Sequence, residues 1–81
     1  MKITVTAVSK FQRYFPGRTT EVDFPGGTLE DFLDWVRDAY GLDVNSHRNI
    51  KITHNSVLAK EYDQILKDGD RLSFIPIVAG G

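Results

Sequence analysis

From Lys2 to Val8 apolar and polar positions alternate, with Ile3, Val5 and Ala7 on one side and Lys2, Thr4 and Thr6 on the other. A period of two in β-branched residues predicts a strand buried on one face. Ser9 to Arg18 breaks the alternation and reads as a loop carrying Phe11, Tyr14 and Phe15 ahead of a Pro16-Gly17 turn signal. Alternation resumes from Thr19 to Phe24, where Thr20, Val22 and Phe24 oppose Thr19, Glu21 and Asp23. Two strands joined in this way predict an antiparallel hairpin. Pro25-Gly26-Gly27 ends the second strand, and the period then changes. Leu29, Phe32, Leu33, Val36 and Tyr40 recur at the spacing of one helical face. Thr28 has the hydroxyl of an N-cap, able to accept from the Asp31 N–H. Glu30 and Asp31 stand where the helix dipole favours acids, and Gly41 supplies a left-handed stop.

The second half of the chain is less regular. Leu42 to Asn49 reads as a polar connection, Ile50 to Thr53 as a short strand, His54-Asn55-Ser56 as a turn and Val57-Leu58 as a stub strand. Asp63 to Leu66 is expected to form one helical turn, followed by the tight turn Lys67-Asp68-Gly69-Asp70. A last strand, with Leu72 and Phe74 inward, extends from Arg71 to about Ile77. One helix is available to cover the sheet, so the expected layers are one helix on one face of a mixed sheet of four or five strands. The first and last strands are expected to pair in parallel at its centre. That is an α+β architecture of the β-grasp, or ubiquitin-like, type. Residues 1–78 form its single domain and residues 79–81 a flexible Gly-Gly tail.

Composition narrows the chemistry. At 81 residues the chain holds one domain, and a domain of this size buries only about 60% of the surface of its unfolded form. With no cysteine, disulfides, thiolate-bound metals, iron–sulfur clusters and a thiol nucleophile are excluded. A net charge of −1 and the lack of a basic run give no bulk attraction to nucleic acid. No apolar stretch approaches the roughly 20 residues of a membrane span. The chain opens directly in strand sequence without a signal-peptide pattern, so a cytoplasmic location is expected. His47 and His54 lack the spacing and third ligand of a zinc site. No serine has a nucleophile-elbow context. Glu30 and Asp31 are explained by the helix start, and Asp68-Gly69-Asp70 lacks the ligand ladder of a calcium loop. An active site of its own is therefore not expected.

The end of the chain is different. The last strand passes into Val78-Ala79-Gly80-Gly81. Glycine has no Cβ, so a Gly-Gly terminus threads narrow channels and leaves its carboxyl carbon unhindered. Four residues beyond a sheet reach on the order of 13 Å, enough to place a carboxylate in another protein's active site. Alone, such an ending reads more readily as a frayed terminus or a cloning remnant.

Taken together, Asp68-Gly69-Asp70, the alternating strand, Pro76 and Val78-Ala79-Gly80-Gly81 resemble the end of the MoaD/ThiS sulfur carriers. The likeness spans nearly the whole chain in element order. It is nearest the molybdopterin synthase small subunit in the opening strand, the aromatic loop and the Thr28 helix. It departs in having one proline at Ile75-Pro76-Ile77, and in reading Thr53-His54-Asn55-Ser56 where a Val-Asn-Gly turn is usual. The resemblance implies that Gly81 is adenylated by a partner enzyme using ATP and magnesium, with no cofactor bound to the carrier itself. A sulfur donor then leaves a thiocarboxylate on Gly81, and Gly80 shares that chemistry. Pro76, Val78 and Ala79 would guide the tail, in the molybdopterin branch into the large synthase subunit. Ile75 and Ile77, opposite Phe74, and the Phe11/Phe15 cluster are the expected partner-binding surfaces, with a small core beneath the loop as the other reading of those aromatics. A thiamine-type carrier, a ubiquitin-like modifier using the same activation, and a passive β-grasp interaction domain remain open alternatives. None of these readings involves nucleic acid or membrane.

Overall fold

The computed structural model describes residues 1–77. Strand β1 (Lys2–Ala7) pairs antiparallel with β2 (Thr19–Asp23), with Ile3 opposite Val22 and Val5 opposite Thr20. Helix α1 (Leu29–Tyr40) follows. Strand β3 (Ile50–His54) turns through Asn55 and Ser56 into the short β4 (Val57–Leu58). Strand β5 (Arg71–Pro76) then inserts between β1 and β3. It runs parallel to β1 and antiparallel to β3, completing a five-stranded sheet in the order β2-β1-β5-β3-β4. The expected β-grasp topology is observed, with the last strand central.

One face of this sheet is covered. Ile3, Val5 and Ala7 from β1, Ile52 from β3, and Leu72 and Phe74 from β5 are all buried. They form one core with Leu29, Phe32, Leu33 and Val36 of α1. The period-two and helical stripes meet there, as side-chain direction in strands and helices requires.

The helix start is unusually well satisfied. Thr28 Oγ1 accepts from the Asp31 N–H at 3.2 Å, and Asp31 Oδ2 accepts from the Thr28 N–H at 3.0 Å. The next two donors go elsewhere: Leu29 N–H to the Gln64 carbonyl and Glu30 N–H to the Tyr62 carbonyl, both at 2.9 Å. The donors that a helix N-terminus leaves without intrahelical partners are thus occupied. This explains why Asp63 to Leu66 is not the helical turn its sequence predicts. The segment runs extended past the helix start, with Ile65 bridging Thr28 and Leu66 N–H reaching the Gly27 carbonyl. Gly41 closes the other end at φ 84°, its N–H bonded to Arg37 O.

The stretch from Ser9 to Arg18 is also more ordered than a loop. Ser9–Tyr14 forms a 3-10 helix that turns Phe11 inward. Leu42 and Val44 are likewise buried, so the Leu42–Asn49 connection is anchored to the core and contains a second 3-10 turn at Val44–Ser46.

Candidate functional site

The described chain ends where β5 leaves the sheet. Phe74 O accepts from Val8 N–H at 3.0 Å on the β1 side. Pro76 stands where β5 would offer its next donor in that direction, but β1 has already ended at Ala7. A residue without an N–H is therefore tolerated and terminates the parallel ladder cleanly. On the β3 side Ile77 N–H still donates to Asn49 O at 2.9 Å. The chain is thus held by one neighbouring segment up to Ile77. Val78, Ala79, Gly80 and Gly81, expected to act as tail and reactive terminus, lie outside the described residues.

Around this exit the sheet face away from α1 carries exposed apolar side chains. Ile75 is half-buried and Ile77 46% exposed on that face, whereas the half-buried Pro76 shares the side of Phe74. On the neighbouring hairpin Leu58 is 44% exposed on the same face, whereas Val57, opposite His54 and Leu72, belongs to the α1 side. Leu58 lies across from Thr53, which itself lies across from Ser73 on the outward row of β5. Ile75, two residues further on, faces Lys51. Ile75 and Leu58 thus share the outward face, with Lys51, Thr53 and Ser73 between them. Val57-Leu58 reads in sequence as a stub strand, too short for alternation to assign either residue a face.

Phe11 and Phe15 are corrected. Phe11 is 0% exposed and Phe15 7%. Phe11 meets His47 edge-on at 5.1 Å, whereas Phe15 stacks on Phe74 at 6.0 Å and lies 4.9 Å from Tyr40. The 3-10 helix turns these rings into the core, where burying such large apolar surfaces is most favourable. They offer a partner no free face.

The start of β5 is fastened by a polar clamp. Asp70 accepts from Asn55 Nδ2 at 3.0 Å and from Lys67 N–H at 2.9 Å, and lies 2.7 Å from His54 Nε2. Asn55 Oδ1 in turn accepts from Arg71 N–H at 2.7 Å, and Asn55 N–H donates to Arg71 O at 2.7 Å. Burial acts to raise the Asp70 pKa, but the hydrogen bonds from Asn55, Lys67 and His54 outweigh it and hold the carboxyl below its usual range. A His–Asp pair invites a catalytic reading, yet these partners tie the Asn55-Ser56 turn to β5. Their geometry is accounted for by that role. Among the described residues no three His, Asp or Glu side chains are grouped to hold a metal. A small pocket of about 80 Å³ lies between α1 and the Val44–Ser46 turn, lined by Glu30, Asp34, Arg37, Asp43 and Tyr62 among others. Arg37 there is paired with Asp34 and Asp38. The pocket lies on the covered side of the sheet, away from the β5 exit.

What remains is a β-grasp body that delivers its last residues from a central strand beside an apolar patch. The sequence profile of the ThiS family matches residues 8–81. The chain belongs to the ThiS family. Its fold is the ubiquitin-like β-grasp. The fold agrees with solved structures over its full length. SAMP1 from Haloferax volcanii superposes with a TM-score of 0.77 at 22% identity, covering 100% of both chains. A chain of the complex of subunits 1 and 2 of molybdopterin-converting factor from Helicobacter pylori gives 0.70 at 22% identity, again over 100% of both. The Amycolatopsis orientalis BexX/CysO complex contains a chain matching at 0.73 and 25% identity, over 98% of this chain and 99% of that one. No curated protein sequence is similar enough to count as a match. Among the described residues no helix of this ThiS-family chain is long and apolar enough to cross a membrane.

Proposed function

We propose that this ThiS-family chain is a sulfur carrier in cofactor biosynthesis whose working group is the carboxylate of Gly81. The observation that carries the reading is the family match extending through Gly81 on a body whose central strand leads directly to that end. In the proposed cycle the Gly81 carboxylate attacks the α-phosphate of ATP, held with magnesium by a partner adenylating enzyme, and pyrophosphate leaves. Hydrosulfide from a sulfur donor then attacks the acyl carbon. A C–S bond forms, the C–O bond to AMP breaks, and a thiocarboxylate remains after loss of a proton. Gly80 and Gly81 leave that carbon open to attack, because neither carries a Cβ.

The carrier has no catalytic residues in this scheme, consistent with the structural accounting of its His–Asp pair. Ile75, Ile77 and Leu58 form the docking surface, and Pro76, Val78 and Ala79 lead the tail into the partner. Docking needs such a surface because four tail residues alone bury too little area for a specific complex. Molybdopterin is the pathway we favour: a structural relative over the full chain comes from a complex of subunits 1 and 2 of a molybdopterin-converting factor. The corresponding large synthase subunit is then the second partner, and the cytoplasm the compartment.

Deleting Gly80-Gly81 tests this directly. The truncated chain is expected to bind its adenylating partner through the apolar face but to acquire no sulfur. Equal sulfur loading of full-length and truncated chains would overturn the assignment.

A further inference from the structure

The opposite edge of the sheet carries a second, unassigned surface. Strand β2 pairs only with β1 and is the edge of the sheet. The flanking bonds, Ala7 N–H to Arg18 O and Phe24 N–H to Met1 O, set the alternation of this antiparallel ladder. They direct the backbone groups of Thr20 and Val22 toward β1 and those of Thr19, Glu21 and Asp23 outward. Three successive outward-facing residues are a template for one more strand.

Beside this edge runs a row of aromatic rings. Phe15 leads into β2 and Phe24 leaves it; between them Tyr40 and Trp35 of α1 complete the row, with centroid separations of 4.9, 5.9 and 5.7 Å. The row matches the length of a five-residue strand, about 17 Å. Phe15 and Phe24 are buried, but Trp35 and Tyr40 are only partly so, and Ala39 between them is exposed. The β2 edge therefore offers unpaired hydrogen-bonding groups, with the partly exposed rings of Trp35 and Tyr40 on the α1 side of the sheet.

Acidic side chains outnumber basic ones around this edge, with Arg18 the exposed base just before β2. Glu21 and Asp23 point to the outward face of β2 with side chains 62% and 75% exposed, and Lys2 is the cation paired with them. Asp31 and Asp38 flank Trp35 along the helix and are exposed, with Arg37 beside Asp38. A second copy of the chain adding β2 to β2 would set acid against acid, which is unfavourable for facing residues.

We propose that this edge binds an extended segment of a partner protein as an added β-strand, one alternating apolar residues with lysine or arginine. Its apolar side chains lie on the α1 side, against Trp35 and Tyr40. The basic ones, on the other face of the added strand, lie beside Glu21 and Asp23. Main-chain bonds supply affinity and the alternation supplies selectivity. This surface is separate from the β5 exit and does not depend on the chemistry at Gly81.

The test is a titration of the full, ¹⁵N-labelled chain with the capped peptide Lys-Val-Lys-Ile-Lys-Val-Lys, read from amide and indole shifts. Shifts are expected at Thr19, Glu21, Asp23 and the Trp35 indole. Glu21→Pro removes one outward N–H and leaves the β1 ladder intact; it is expected to weaken binding about tenfold or more, about 1.4 kcal/mol. Glu21→Gln separates the loss of charge from the loss of the donor. A peptide N-methylated at alternate residues asks the same question with the protein unaltered, so a folding defect in the proline variant cannot decide the result. A same-composition peptide of scrambled order and a glutamate-for-lysine peptide are expected to bind weakly. The proposal fails if the scrambled or N-methylated peptide binds equally, if shifts fall around Ile75 and Leu58 instead, if no shifts occur, or if only self-association appears.

Discussion

Replacing Phe11 with alanine separates a core role from a docking role. The ring is fully buried beneath the 3-10 helix, edge-on to His47 at 5.1 Å. Truncating a phenylalanine in such a site costs about 3–5 kcal/mol, combining lost transfer energy with the cavity left behind. A domain of this length holds roughly 4–12 kcal/mol in total at typical per-residue stability. The variant is therefore expected to approach unfolding. With a urea dependence near 1 kcal/mol per molar, as in small domains, the midpoint falls by about 3 M or more. Equilibrium urea unfolding followed by Trp35 fluorescence measures this. The milder Phe11→Leu keeps more of the core volume and is expected to lose about 1 kcal/mol, while binding an adenylating partner as the parent does. A midpoint shift below about 0.5 M for the alanine variant, together with a clear loss of partner affinity in the leucine variant, would refute the core assignment.

Other consequences follow from local geometry. Because its hydrogen bonds hold the Asp70 pKa below the unfolded carboxylate value, its contribution is present above about pH 4 and fades as pH falls through the folded pKa. Asp70→Asn is expected to lower stability at neutral pH and flatten the acid limb of a urea-midpoint profile; parallel wild-type and variant profiles would contradict this. Gly27 has φ 138°, and an added Cβ would lie 2.5 Å from Asp31 Oδ2, the capping acceptor. Gly27→Ala is therefore expected to cost about 1–3 kcal/mol in thermal or urea unfolding, and an unchanged midpoint would contradict it. Asn55 and Ser56 both adopt positive φ, 51° and 71°, in the two-residue turn between β3 and β4. Ser56→Gly is expected to gain about 0.5–1 kcal/mol, the left-handed strain relieved minus added unfolded-state entropy. A loss of stability would count against that turn geometry.

Much of this fold was legible because local signals agreed with one another. The Leu29–Tyr40 stripe, the Thr28 cap and the Gly41 stop bound α1 independently, and the structure observes all three. The alternation in β1 and β5 likewise predicted which residues face the helix. Short-range signals failed where distant partners decide the conformation. Asp63–Leu66 has helical spacing, but its neighbourhood supplies carbonyls to the open start of α1, a contact between segments more than thirty residues apart. Phe11 and Phe15 stood in a stretch without periodicity, so sequence left open whether their rings faced a partner or the core. A 3-10 helix has too few residues to establish a stripe. The clamp of His54, Asn55 and Asp70 was equally hidden, since its members come from a turn and a strand start separated by fifteen residues or more.

The central claim is that Gly81 carries sulfur, and intact-mass analysis of the chain with its native C-terminus tests it most directly. The protein is incubated with ATP, magnesium, an adenylating partner and a sulfide source. The account predicts the mass increase of one oxygen exchanged for sulfur, mapped by fragmentation to Gly81 and absent without ATP. An unchanged mass from folded protein across several adenylating partners would contradict it and favour a β-grasp domain that acts through binding alone.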